Sequence, residues 1–222
     1  MPWVYRDRAQ AGEVLAQRLV RYVHADVTVL ALPRGGVPVA YPVARALGAS
    51  LDILAVRKLG VPGHEELAMG AVASGGVRVL NDDVVSRLGI DAATIEAVTR
   101  AERARLADQE RFRGSRAPAP REGRTVILVD DGLATGSTME AAIASCRKAD
   151  VAGIVVAVPV GAPSTVAYLA GLADEVVCPH TPERFRAVGL AYGDFSPVDD
   201  EEVRVLLSVV TRPGGESGPQ GS

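Results

Sequence analysis

Cysteine is scarce in this sequence. The two that occur, Cys146 and Cys178, lie far apart and form no C-x-x-C pair, which points to a reduced, cytoplasmic protein. Histidine is nearly as rare, and His24 and His180 lack metal-ligand spacing, so no transition-metal site is expected. No apolar run approaches the roughly 20 residues needed to span a bilayer. The opening stretch MPWVYRDRAQ lacks the apolar core of a signal peptide, so neither a membrane span nor a leader is expected. A large excess of one charge is missing too. The net charge of −3 gives no global pull on nucleic acid or anionic lipid, so any anion site must be local. Two common phosphate signatures are also absent: there is no G-K-[ST] and no dinucleotide G-x-G-x-x-G.

What is present describes a soluble globular chain, with 48% hydrophobic and 23% charged residues. Its 222 residues fit one domain with a full core. A single domain is expected over 1–211, followed by a Gly/Ser/Pro-rich tail, RPGGESGPQGS, at 212–222 that reads as disordered.

Helical and strand patterns alternate. DRAQAGEVLAQRLVRY places Ala11, Leu15, Leu19 and Tyr22 on one helical face, and Asp7 with Gln10 reads as a capping box. Strands are expected at 27–32 and 51–56, with a helix between them that has Pro near its start. A Gly/Pro loop then leads to strand-like runs at 69–73 and 77–80. A long helix is expected over 91–113, laced by Glu96–Arg100 and Asp108–Arg111 pairs. After a proline-broken connector at 115–123 come strands at 124–129, 153–158 and 175–178. Helices at 137–148 and 163–172 alternate with them, and a short helix follows near 199–209. Continuous apolar strands alternating with helices indicate an α/β fold with a parallel sheet covered on both faces. In such sheets ligands sit beyond the carboxyl ends of the strands.

The most informative stretch is VILVDDGLATGST, residues 126–138. A buried strand ends in Asp130 and Asp131. Gly132 and Gly136 follow, with hydroxyls from Thr135, Ser137 and Thr138 at the start of a helix. Unpaired N–H groups and the positive end of the helix dipole make that turn a cradle for an anion. Carboxylates repel phosphate but accept hydrogen bonds from sugar hydroxyls and can bind magnesium. The combination suits a phosphorylated sugar with free hydroxyls. In ALPRGGVPVA, at 31–40, Arg34 stands beside the exposed backbone of Gly35 and Gly36 and makes a second anion site. In VRKLGVPGHEELAMGAV, at 56–72, Arg57 and Lys58 leave a strand and enter a loop bearing His64, Glu65 and Glu66.

These three pieces, in this order, resemble the type I phosphoribosyltransferases, and the layout is nearest to stand-alone bacterial members of that family. The resemblance implies a parallel-sheet type I phosphoribosyltransferase fold with helices on both faces and a small hood. It implies transfer of the 5-phosphoribosyl group of phosphoribosyl pyrophosphate (PRPP) to a nitrogen acceptor such as a nucleobase, with release of pyrophosphate. Asp130 and Asp131 would take the ribose hydroxyls. Ala134, Thr135, Gly136, Ser137 and Thr138 would take the 5′-phosphate. Arg34, Gly35 and Gly36 would take pyrophosphate, with a non-proline cis bond at Pro33–Arg34. Arg57 and Lys58 would ride a mobile loop that closes over the leaving group. FRAVGLAYGDF, at 185–195, resembles the hood of the 6-oxopurine enzymes. There Phe185 and Tyr192 would hold the base, and Asp194 would join Asp130 and Asp131 in carrying magnesium. A cytoplasmic homodimer is implied as well, with no nucleic-acid or membrane partner.

One departure bears on the acceptor. The 6-oxopurine enzymes carry an aspartate at the position of Ala134, and a lysine on the strand that here reads IVVAVPV, at 154–160. Their absence disfavours hypoxanthine and guanine and leaves adenine, orotate, another nitrogen heterocycle or an unusual small molecule open. Glu65 or Glu66 is a candidate base for the acceptor. Two other readings stand beside this one. One is a PRPP-binding regulator without turnover, whose nucleic-acid surface would be the Arg-rich segment 100–116. The other is a hydrolase of a phosphorylated ribose.

Overall fold

A computed structural model describes residues 4–114 and 117–209, the side chain of Glu66 excepted. The expected tail at 212–222 lies outside the described residues. Five parallel strands form the main sheet: β1 (Val27–Ala31), β2 (Ser50–Ile53), β6 (Thr125–Val129), β7 (Gly153–Ala157) and β8 (Glu175–Val177), in the spatial order β2-β1-β6-β7-β8. The order reverses between β1 and β6, whose registers pair Val27 with Thr125 through Ala31 with Val129. That reversal opens a crevice at the carboxyl ends of the two strands.

Alternate side chains on each strand divide the core in two. Val29, Ala31, Ile127 and Val129 pack on one face, with α1 (Arg8–Arg18), α2 (Gly36–Leu47) and α7 (Asp200–Val209). Leu30, Leu128 and Val156 pack on the other, with α5 (Ser137–Lys148) and α6 (Pro163–Leu169). Both sheet faces are therefore dry, as continuous apolar strands require. In α1, Asp7 accepts the Gln10 N–H at 2.8 Å and caps the helix. The return bond of the capping box is displaced by one residue, because Gln10 Oε1 accepts from the N–H of Arg6.

The stretch after 56 expected as a loop is instead strand, and it joins the expected strands at 69–73 and 77–80 in a second sheet. β3 (Val56–Val61) and β4 (His64–Ala73) form an antiparallel hairpin, and β5 (Val77–Leu80) pairs with β4. Charged residues in both strands masked the pattern. The hairpin buries Leu59 and Val72 against α3 (Asp82–Leu88) and α4 (Ala92–Glu110), and turns Val56, Ala71 and Ala73 toward α5. Helix α3 was not anticipated, although its cap is plain in NDDVV: Asn81 accepts the Val84 N–H at 3.1 Å, with two acids in the first turn. The Asp108–Arg111 pair forms at the end of α4, but Glu96 reaches across to Arg78 on β5 rather than to Arg100.

The segment expected as the hood, 185–195, is irregular apart from a short 3-10 turn at Val188–Ala191. The start of the described chain is stitched to it: the N–H groups of Val4 and Tyr5 reach the Ala191 carbonyl, and Gly193 and Asp194 donate to the carbonyls of Tyr5 and Arg6.

Candidate active site

The end of β6 delivers Asp130 and Asp131 into the crevice because all four residues before them, Val126 to Val129, are locked in the core. The two acids differ in surroundings. The Asp131 N–H donates to Asp130 Oδ1 at 2.9 Å. Burial, and then the neighbouring charge of Asp131, push the Asp130 carboxyl well above the usual carboxylate range. Burial also raises Asp131, but Arg8 draws it back.

Arg8 was not found by sequence reasoning. Its Nε sits 2.9 Å from Asp131 Oδ2, its guanidinium lies 3.9 Å from the centroid of the Phe195 ring, and it donates to the Ser196 carbonyl at 2.8 Å. A single arginine at the start of an amphipathic helix carries no local signal of such a role. Only the packing of α1 beside the crevice reveals it.

The loop after β1 rests directly on the acids. A Cβ on Gly35 would fall 2.2 Å from Asp131 Oδ2, and one on Gly36 would fall 2.6 Å from the Val129 carbonyl oxygen and 3.0 Å from Asp130 Cα. Only glycine permits that approach. The Pro33–Arg34 bond is cis. The Arg34 side chain, however, turns outward to Asp200 at 3.0 Å and toward the Phe112 ring.

The turn from 132 to 136 leads into α5. Gly136 occupies the N-cap in the left-handed region, φ 79°, and no side chain caps the helix there. Its first N–H groups thus face the turn without an intrahelical acceptor. Thr135 and Ser137 place their hydroxyl oxygens 3.2 Å apart, while Thr165 from α6 fixes the loop by donating to the Ala134 carbonyl at 2.7 Å. The arrangement offers clustered hydroxyls, backbone donors and a helix dipole to an anion, with two carboxylates adjacent.

The remaining sequence candidates are dispersed. Arg57 lies within β3 and pairs with Glu102 at 2.9 Å, on the strand face that also carries Leu59. Lys58 takes the opposite face by strand alternation. Glu65 is exposed near the hairpin turn, where its carboxylate accepts the Gly63 N–H at 3.1 Å. Phe185 lines a cavity of about 670 Å3 under the hood. Tyr192 is buried beneath the acids instead, and its hydroxyl donates to the Asp131 carbonyl at 2.6 Å. Asp194 is taken by its own turn, accepting from the N–H and hydroxyl of Ser196. Among the described residues no three His, Cys, Asp or Glu side chains converge on one point, so Asp194 does not complete a metal cluster with Asp130 and Asp131.

This geometry defines an open α/β protein whose glycine-bearing loops gather where the strand order reverses. The sequence model of the phosphoribosyl transferase domain matches residues 5–191, and the chain belongs to that family. Two Mycobacterium tuberculosis proteins, named "Putative phosphoribosyl transferase" MT0597 and Rv0571c, are each 49% identical over 216 residues. The alignment covers 97% of this chain and 49% of each relative, so the chain spans about half the length of the curated relatives it matches. The crystal structure of TT1426 from Thermus thermophilus is 45% identical and superposes with a TM-score of 0.84, covering 91% of this chain and 97% of that one.

Proposed function

We propose that the protein transfers the 5-phosphoribosyl group of PRPP to a nitrogen acceptor and releases pyrophosphate. One observation carries this reading: a carboxylate pair, an anion cradle and a second glycine loop meet at the end of β6, with Gly35 and Gly36 lying on the two acids. A ribose diol accepted by Asp130 and Asp131 would hold the sugar in place, with its 5′-phosphate at residues 134–138. As the glycosidic bond breaks, positive charge grows on the sugar beside the acids, and negative charge grows on the leaving group beside the 34–36 loop. Each preorganised contact of that kind is worth on the order of 3 kcal/mol of barrier.

The donor set suits magnesium. Asp130 and Asp131 are hard oxygen ligands, and an ion held by one or two carboxylates normally completes its shell with water and substrate oxygens. When bound, the ion would offset the charge of the pyrophosphate. Raised carboxyls imply that the cation competes with protons, so its affinity should rise with pH.

The reading includes a cytoplasmic homodimer without nucleic acid. Arg105, Arg111 and Arg113, the core of the Arg-rich segment, each meet an acid, which supports a solvated helix over a phosphate-binding face. A second reading, PRPP binding without turnover, draws on the outward pairing of Arg34 with Asp200 and of Arg57 with Glu102. The test is incubation with PRPP, magnesium and a panel of bases, following pyrophosphate and PRPP binding together. Pyrophosphate released only with an acceptor supports the transferase. Release without one supports a hydrolase, and tight binding without release supports the regulator. Unchanged PRPP affinity in Asp130→Asn and Asp131→Asn would remove the site assignment.

A further inference from the structure

The cavity under the hood adjoins the acid loop. Its floor is formed by Val160 and Ala191, and Phe185, Ala187 and Leu190 line it. Val160 is the link: its carbonyl accepts the Leu133 N–H at 2.9 Å, and a Cβ on Gly132 would come 3.1 Å from its side chain. A molecule resting on Val160 therefore lies next to the loop that follows Asp130 and Asp131.

Size and charge set the class of molecule. At about 670 Å3 the cavity falls among sites of roughly 300–1,000 Å3 that take drug-sized ligands, so a heterocycle with substituents has room. Its lining is mostly apolar, yet it includes Arg184 and Arg186, with His180 beside them, and no carboxylate among the described residues. Neither guanidinium meets an acid among the described residues. The chain as a whole is negative, and two acids stand nearby, so an anionic molecule would be repelled unless local cations offset that field. Two unpaired arginines at an apolar wall supply the offset, in a form suited to bidentate carboxylate binding. A neutral base would gain nothing from them.

We propose that this cavity is the acceptor pocket and takes an aromatic heterocycle bearing a carboxylate or similar anion, with the anion facing Arg184 and Arg186. The inference rests on the transferase reading for its place in the reaction, but the pocket's chemistry can be read without turnover.

The test uses matched pairs on the full chain: orotate against uracil, and benzimidazole-5-carboxylate against benzimidazole. Direct binding is measured by calorimetry, and consumption with PRPP and magnesium is measured by pyrophosphate release and product mass. At least one carboxylated member should bind, and be consumed, about tenfold better than its neutral partner. Because both arginines are exposed, added salt should narrow that preference. An Arg184→Gln/Arg186→Gln variant that melts like the wild type should lose the preference. Equal or better binding of both neutral members overturns the proposal, as does a preference that survives the double substitution. Selective binding of the acid without any pyrophosphate release upholds the pocket while sinking the transferase reading.

Discussion

The two sheets of the molecule are built on opposite plans. In the parallel sheet every residue of β1 is buried, and β6 is covered from Val126 to the acids. In the antiparallel sheet, β3 mixes buried and part-exposed positions, and the hairpin carries Arg57, Lys58, His64 and Glu65. The first anchors the acid pair where the surrounding core resists displacement. The second holds its cations on an arm whose outer face is secured by the small cluster with α3 and α4. The proposed diol site thus stands on strands covered on both faces, whereas Arg57 and Lys58 stand on a strand part-open to solvent.

Leu128→Ala should give the largest effect. Leu128 is fully buried, and the loss should be about 2–5 kcal/mol by urea unfolding. Leu59→Ala, equally buried in the hairpin, should instead strip amide-exchange protection mainly from β3, β4 and α4 and spare β6 and β7. Uniform loss across both sheets would erase the contrast drawn above. Arg8→Met comes next. It leaves the Asp131 carboxylate desolvated without its cation, at a cost on the order of 2 kcal/mol. That is below the ~3–5 for a fully buried pair, because the side chains keep 11% and 17% exposure. A loss under about half a kcal/mol would mean that water already screens the pair.

A pH series sharpens the comparison further. Asp130 titrates above its ordinary value of 3.8, so the folded state holds a proton that the unfolded state has released. Stability from this group is therefore full below about 3.8 and is lost as pH rises through the folded value. Asp130→Asn should stabilise the protein at neutral pH, and its advantage should shrink as pH falls toward 3.8. Carboxyls lowered by hydrogen bonds, such as Asp91 and Asp174, lose their contribution only below their ordinary values, which keeps the two signals apart. The smallest effect belongs to Arg57→Gln, about 0.5–1 kcal/mol, since its partner Glu102 retains Arg105.

Much of the parallel sheet was legible because burial on both faces writes itself as unbroken apolar runs. The glycines at 35, 36 and 136 were legible too, since a backbone that touches a carboxylate or turns left-handed excludes most side chains, and Gly132 leaves no room beside Val188. The hairpin was legible only in its last part, 69–73, because strands half-exposed to solvent tolerate Arg, Lys, His and Glu, and a VPG turn reads as the middle of a loop. Arg8, and the props that Tyr192 and Ser196 provide, were invisible for another reason. Arg8 and Tyr192 meet Asp131, and Ser196 meets Arg8, from positions far away in sequence, and no local spacing encodes those meetings. Asp194 was expected near magnesium only through the resemblance of 185–195 to a hood, and no local pattern announced that its oxygen would close a turn with Ser196.

The seam between residues 4–6 and 191–194 sets a timetable for synthesis. Both sheets lie between its two halves in sequence, so the earlier half waits for the later one roughly ten to forty seconds at about 5–20 residues per second. Strands 1 through 8 can gather during that interval, but Tyr192, whose hydroxyl donates to the Asp131 carbonyl, cannot yet join them. The scaffold of both sheets can thus be complete before the seam that braces the acid pair has closed.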